Sequence, residues 1–427
     1  MKWRKTILAG LVMIGAAVLK ATAADTPPMR RSLAADAVRL TGQVRTDYFR
    51  SSKTLDDEVD FVGVTTQLKA LPQFSPWLGG KIEARFTNPA LGEGRPARAS
   101  LLEGYLAIHF PRADLRLGRQ IVAWGRADGI NPTDNMTPRD YVVLLPFEDD
   151  QRFGTSGARL DVVLPADFVL STFVTPWFEP ARIPFPPEAG ITRVKPARTF
   201  ATTEFGVKLD CVGAGVDWSL SYFHGFSLLP GLRLGSRATT RLPLELRYDP
   251  INVIGADCAR NFGRFGFRGE IAYVNTRDRA GTDPEKRNPH VFMIAGIDRT
   301  FFETLNVNLQ YFRREVRRHH DPMRVLEPSR RNVAVLHAIL NGERDRSSDG
   351  FSYRVNNRWL NDTLEAEVFG VVNRTRRDRF VRASMTYVFT DHWKGTVGGD
   401  FFRGSDDTQF GLQKRNRGGF AELRFAF

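Results

Sequence analysis

The chain has 427 residues, 61 Lys and Arg against 48 Asp and Glu, a net charge of +13 and two cysteines. Two cysteines exclude a disulfide-stapled scaffold. No segment after the N-terminus is apolar enough for a transmembrane helix, so any residence in a bilayer has to rest on strands.

The first residues read as a secretion signal. Lys2, Arg4 and Lys5 precede an apolar Ile7–Leu19 run, and Ala21-Thr22-Ala23 supplies the small-x-small pattern of a cleavage site. The run is too short to anchor the chain in a bilayer. Residues 1–23 are therefore expected to be removed, taking four cations and leaving the mature chain at about +9. Residues 24–37 follow as a periplasmic N-terminal segment, and 38–427 as one unit without linker, low-complexity tract or compositional break.

From Val38 onward the pattern has a period of two. Leu40, Val44 and Tyr48 oppose Arg39, Gln43, Arg45 and Asp47; Ile82, Ala84 and Phe86 oppose Lys81, Glu83, Arg85 and Thr87. Phe205, Val207, Leu209 and Cys211 oppose Glu204, Lys208 and Asp210, and Phe265, Phe267, Ile271 and Tyr273 oppose Arg268, Glu270 and Val274. Phe351, Tyr353, Val355 and Trp359 oppose Arg354, Asn356 and Arg358; Leu364, Ala366, Val368 and Gly370 oppose Glu365, Glu367 and Phe369. Val381, Ala383, Met385, Tyr387 and Phe389 oppose Arg382, Ser384, Thr386 and Val388. The last strand sets Ala421, Leu423, Phe425 and Phe427 against Phe420, Glu422, Arg424 and Ala426. Side chains alternate across a strand, so such strands suit a wall with lipid on one side and water on the other.

Connections alternate between short and long, as outer-membrane barrels require. The short ones are 111–114, 165–167, 212–215, 260–264, 300–303, 361–363 and 390–393, with a slightly longer one around 71–76. The long ones include 125–155, 176–199, 228–247, 276–289 and 315–350. A literal count gives 19 strands, because Asn332–Leu340 is apolar enough to be one, but every later turn would then fall on the wrong side of the membrane. Treating Arg331–Asn341 as a short helix in an outer loop restores the order. The expectation is all-β: an 18-stranded antiparallel transmembrane barrel with both ends periplasmic and an aqueous interior. Phe427, behind Phe425 and Leu423, reads as the terminal signal for the outer-membrane assembly machinery.

Several stretches resemble a family of porin-like outer-membrane barrels of proteobacteria, mostly without an assigned substrate. They are Leu115–Asp140 (LRLGRQIVAWGRADGINPTDNMTPRD), Pro250–Tyr273, Ile294–Tyr311, Arg358–Asn373 and Phe380–Gly411, which contains VGGDFFRGSDDTQFG. The architecture is also similar to alginate-export barrels of the same strand number. The resemblance implies the barrel fold and a Gram-negative outer-membrane location, and carries over no functional residue.

The inward faces are nearly balanced in charge. Basic positions are Arg39, Arg45, Lys69, Lys81, Arg85, Arg116, Arg159, Lys208, Arg268, Arg354, Arg358, Arg382, Lys394 and Arg424. Acidic ones are Asp47, Glu83, Glu103, Asp161, Glu204, Asp210, Asp217, Asp257, Glu270, Asp298, Glu365, Glu367, Asp400 and Glu422. Pairing across neighbouring strands is the plain expectation, and the same residues are the candidates to line a pore. The positive excess falls in outer loops: Arg313–Arg331 holds seven arginines against three acids, and Arg374, Arg376, Arg377 and Arg379 crowd one tip beside Asp378.

Loop 125–155 is the candidate constriction. It combines Arg126, Asp128, Asp134, Arg139, Asp140, Glu148, Asp149, Asp150 and Arg152 with an apolar Val142–Pro146 run, which should pack inside the lumen or over neighbouring loops. Arg119 breaks the alternation on the face of Leu115, Leu117 and Ile121, and a β-bulge at Gly118 would turn it inward. Cys211 and Cys258, two strands apart, should be free thiols.

The expected function is passive diffusion of small polar solutes with weak anion preference. The alternatives are an exporter of acidic polysaccharide, which needs an unbroken arginine track, and a structural or partner-binding barrel. Seven scattered histidines give no Ser/His/acid signature and no metal motif, so the chain reads as neither enzyme nor metalloprotein, and no cofactor is assigned. Expected partners are outer-membrane lipid and lipopolysaccharide, the assembly machinery and small solutes; nucleic acid is excluded by compartment, and monomer and trimer stay open.

Overall fold

The computed structural model describes residues 38–51, 60–88, 97–142, 151–183, 191–213, 215–235 and 244–427. The leader, the segment 24–37 and the loop positions 143–150, with Glu148, Asp149 and Asp150, lie outside the described residues.

The chain runs through β1 (Val38–Ser51), β2 (Asp60–Ser75), β3 (Leu78–Asn88), β4 (Arg98–Phe110), β5 (Ala113–Gln120), β6 (Thr155–Leu164) and β7 (Phe168–Thr175). A short β8 (Thr192–Val194) precedes β9 (Glu204–Cys211) and β10 (Asp217–Phe226). β11 (Gly231–Leu234) and β12 (Leu244–Arg247) lead to β13 (Pro250–Phe262), β14 (Phe265–Thr276), β15 (His290–Phe301) and β16 (Leu305–Val316). Helix α1 (Pro328–Asn341) is followed by β17 (Ser347–Trp359), β18 (Leu364–Asn373), β19 (Asp378–Val388), β20 (Trp393–Arg403) and β21 (Gly418–Ala426). Among the described residues eighteen strands form one antiparallel sheet, and β1 pairs with β21, so the sheet closes. β8, β11 and β12 form a separate three-stranded sheet.

Burial follows the period of two. Tyr222, Ile254 and Tyr273 stand in register across β10, β13 and β14 and are exposed, while Phe223, Val253 and Val274, in the next register row, are buried. The exposed row suits lipid and the buried row faces the interior. At the seam the Gly42 and Phe427 backbones exchange two hydrogen bonds of 2.9 Å, and the register runs from Gln43 opposite Ala426 to Ser51 opposite Gly418. No sheet edge is left open there, which the membrane requires.

The tight ends are left-handed turns. Ala166-Asp167 and Phe302-Glu303 both take positive φ at successive residues, matching the twist of the flanking strands. The connection expected around 71–76 is shorter than its sequence suggested: β2 continues to Ser75 with a ladder irregularity at Gln73/Ser75, and β3 begins at Leu78.

The helix inside the β16–β17 loop begins at Pro328, three residues before the expected start. Glu327 sets that start, its carboxylate accepting from the backbone N–H groups of Ser329 and Arg330. Gly342, at φ 67°, ends the helix in the left-handed conformation. Val333 packs on Leu232 and Leu246, so α1 covers the three-stranded sheet.

The bulge expected at Gly118 is absent. The β4–β5 and β5–β6 registers pass through Gly118 without a shift, so Arg119 keeps the face of Leu115 and Leu117. Its charge is met by a bidentate pair with Glu179 at 2.7 and 3.0 Å, and Nε donates to the Leu101 carbonyl. Cys211 and Cys258 both oppose Trp218 from either side of β10 and are free.

Candidate functional site

After Gln120 the chain leaves the sheet. Val122, Trp124 and Met136 pack with Phe173 of β7, Phe223 of β10, Ile251 and Val253 of β13, and Ala272 and Val274 of β14. These strand residues belong to the buried rows, so this part of the loop lies on the inner wall. Small wall residues make room for it. A side chain at Gly206 would collide with the Trp124 ring and Met136. Gly125, at φ +97° and tight against the Glu270 carboxylate, turns the loop along the wall, a conformation closed to bulkier residues.

Charges then fasten the loop. Arg126 pairs with Asp257 of β13 at 2.7 Å and with Asp210 of β9 at 3.2 Å. Glu270 of β14 accepts from the backbone N–H groups of Arg126 and Ala127 and from the Thr133 hydroxyl. Asp128 reaches Arg354 of β17 at 2.9 Å, and Arg354 is held from behind by Glu367 at 2.8 Å. Ala127 and Ile130 join a second apolar cluster with Ile294, Phe312, Phe369 and Val371. Residues 122–136 thus contact inward positions from β7 to β18.

The rest of the loop is tied nearer the mouth. Arg152 pairs with Asp134 at 2.6 Å, Arg139 lies 3.9 Å from the same carboxylate, and Asp140 pairs with Arg182 at 2.8 Å and Arg98 at 3.4 Å. The apolar run expected to pack inside the lumen or over neighbouring loops is exposed at its first residue, Val142, and its other residues lie outside the described ones. The anchors are the earlier, scattered Val122, Trp124 and Met136, which the sequence did not single out because they follow no strand or helix period.

Most of the wall charges are met by partners. Arg424 pairs with Glu422 at 2.8 Å, and Arg45 lies 3.8 Å from Glu422 and 3.5 Å from Gln67. Lys81 pairs with Glu83 at 2.7 Å and with Glu103, Arg159 with Asp161 at 2.9 Å, and Lys208 with Asp210 at 2.8 Å. Arg268 pairs with Asp298 at 3.1 Å, Arg382 with Asp400 at 2.6 Å, and Arg358 lies 3.7 Å from Glu365. Arg116 lies over the Tyr105 ring, and Arg85 is buried. Phe427, half-exposed beside Phe425, stands at the seam, away from this wall.

The outer tip where four arginines crowd is cross-linked at two of them, Arg374 and Arg376. Arg376 pairs with Asp345 at 2.6 Å and Asp407 at 3.3 Å, Arg344 reaches Asp321 at 3.5 Å, and Arg374 pairs with Asp349 at 3.2 Å. Behind α1, His337 Nδ1 accepts from the Leu232 N–H at 3.1 Å. Burial, reinforced by Arg287 and Arg233, lowers this imidazole to about 3. Burial pushes the Glu343 carboxyl up, against the pull of Arg287 at 3.3 Å.

An antiparallel sheet closed from first strand to last, apolar outside, charged inside and crossed by a fastened loop, defines the class of large outer-membrane barrels. Among solved structures it is similar to the Pseudomonas aeruginosa outer membrane protein OpdK (TM-score 0.56, 9% identity, covering 92% of this chain and 99% of that one). It is also similar to OccK8 (OprE) of the same organism (0.56, 9%, 92% and 98%) and to OccAB1 of Acinetobacter baumannii (0.54, 10%, 91% and 96%). The likeness is one of fold, a closed 18-stranded antiparallel barrel. No family model and no curated protein matches the chain.

Proposed function

We propose that the chain is an outer-membrane channel for passive diffusion of small polar solutes, narrowed by residues 122–136, with a weak preference for anions. The observation that carries this is Arg126, bound at once to Asp210 and Asp257 and followed by Asp128 on Arg354. Such fastening keeps the loop against the wall instead of letting it swing. Paired charges on the rest of the wall provide a wetted lining with little net sign, which suits neutral and mildly anionic solutes alike. In the same proposal residues 1–23 are removed on export and Phe427 is read during assembly.

The test is planar-bilayer recording on purified protein, with reversal potentials at low and molar salt. Discrete conductance steps with a small anion preference are expected. A folded protein without conductance would replace the channel by a structural or partner-binding barrel. Strong anion selectivity that survives molar salt would favour an acidic-polymer exporter.

A further inference from the structure

On the lipid-facing side of the outer rim, two arginines stand directly opposite each other. Arg379 of β19 is the register partner of Arg403 of β20, both exposed. The same ladder continues with Val381 opposite Phe401 and Met385 opposite Val397, and Phe401, Met385 and Val397 are exposed apolar residues. Alternation therefore places the two guanidinium groups above the apolar band. The end is the outer one, since the opposite end of β19 and β20 carries the His392 turn, which bonds to Ala426 at the C-terminus. Exposed Arg417 flanks the pair, donating to the Phe402 carbonyl.

Like charges directly opposite on neighbouring strands repel, and a sheet normally offsets that with an acid on the next strand. Here the nearby outward acids are engaged elsewhere: Asp349 with Arg374, and Asp60 with the Tyr48 hydroxyl. Among the described residues no carboxylate pairs with Arg379, Arg403 or Arg417. A guanidinium fork matches phosphate in geometry and charge.

We propose that this rim is a binding surface for the phosphorylated headgroup of an outer-leaflet glycolipid. Its phosphate sits between Arg379 and Arg403, and its acyl chains lie on Phe401, Met385 and Val397. Free phosphate gains only the first contact, whereas the lipid gains both. The proposal is independent of what passes through the barrel.

Detergent-folded protein would be titrated with bisphosphorylated lipid A, its dephosphorylated form and inorganic phosphate. Native mass spectrometry would count adducts, and heat unfolding on unboiled gels would follow stability. Bisphosphorylated lipid A is expected to bind and to raise the unfolding midpoint, as any ligand of the folded state does. Arg379→Gln with Arg403→Gln should weaken that binding about tenfold, a loss typical of charge-assisted hydrogen bonds. In lipid-free detergent the same double variant should unfold at an equal or higher temperature, because the repulsion is gone, which also shows that it folds. Arg264→Gln, at the opposite end of the barrel, should bind like the parent. Equal binding by the double variant would overturn the proposal, as would equal binding of dephosphorylated lipid A, or inorganic phosphate matching the lipid at the same concentration.

Discussion

Two side chains show how burial and charge set local behaviour. Arg126 is the cation that Asp257, almost wholly buried, depends on. Removing one partner of such a pair leaves a buried charge uncompensated, typically costing about 3–5 kcal/mol. Arg126→Ala should therefore release the loop before it disturbs the barrel. We expect larger, noisier single-channel currents with unchanged heat-modifiable gel mobility; a conductance equal to the parent's would remove Arg126 from the path. His337 acts on the outer cover. In an unfolded chain an imidazole takes up its proton near pH 6.5, whereas buried His337 stays neutral down to about 3. Between those values the unfolded form holds more protons, so this residue's contribution to stability falls as pH drops through that window. Arg287 and Arg233 keep the proton off and Asp283 favours it. Hydrogen-exchange protection in α1, taken relative to the intrinsic exchange rate at each pH, should fall from pH 7 to pH 4. His337→Gln, whose amide can still accept from Leu232, should flatten that response; an identical pH dependence would remove His337 as its source.

At the scale of elements, the inner loop and the helix were legible to different degrees. α1 announced itself through parity, because counting it as a strand would have put every later turn on the wrong side. Its start was missed by three residues, since the capping Glu327 precedes a proline that carries no apolar period. The loop's charged members were visible, but their partners were not: Arg126 meets Asp210 across 84 residues and Asp128 meets Arg354 across 226. Nothing local encodes such pairings. β8, β11 and β12 were invisible because three or four residues are too few to show alternation. Excising Ala127–Asn135 should enlarge the single-channel conductance, since this stretch carries the contacts to Glu270 and Arg354. An unchanged value would mean that solutes pass elsewhere.

For the whole molecule, the strand number and the closed sheet followed from period and parity, and the seam from the C-terminal stripe. Selectivity was harder to foresee. A positive total suggested anions, yet Arg374 and Arg376 are each held by acids. What excess stays at the mouth acts through water, where attraction is screened beyond about 8 Å at physiological salt. The anion preference should therefore be modest in dilute salt and fade as salt rises, with reversal potentials approaching zero near 1 M. Arg377→Glu, at the exposed tip, should reduce the dilute-salt preference and leave the conductance in concentrated salt alone; equal changes at both salt levels would place Arg377 in the pore.

The seam has a consequence for timing. Gly42 belongs to the first strand of the sheet and Phe427 directly follows the last, so their pairing can form only after every strand between them has been made and delivered. Bringing such distant residues together costs the chain roughly 5 kcal/mol of conformational freedom on a logarithmic loop-length scale. The return is nine register pairs, Gln43–Ser51 with Gly418–Ala426, whose backbone groups would otherwise face hydrocarbon. Each unsatisfied group there costs several kcal/mol, so an unzipped sheet inside lipid is far more costly than the search that zips it. Insertion and closure must then proceed as a single event. Deleting Phe427 should stall that event rather than weaken the finished product: less mature protein in the membrane, with the surviving fraction as heat-resistant as the parent on unboiled gels.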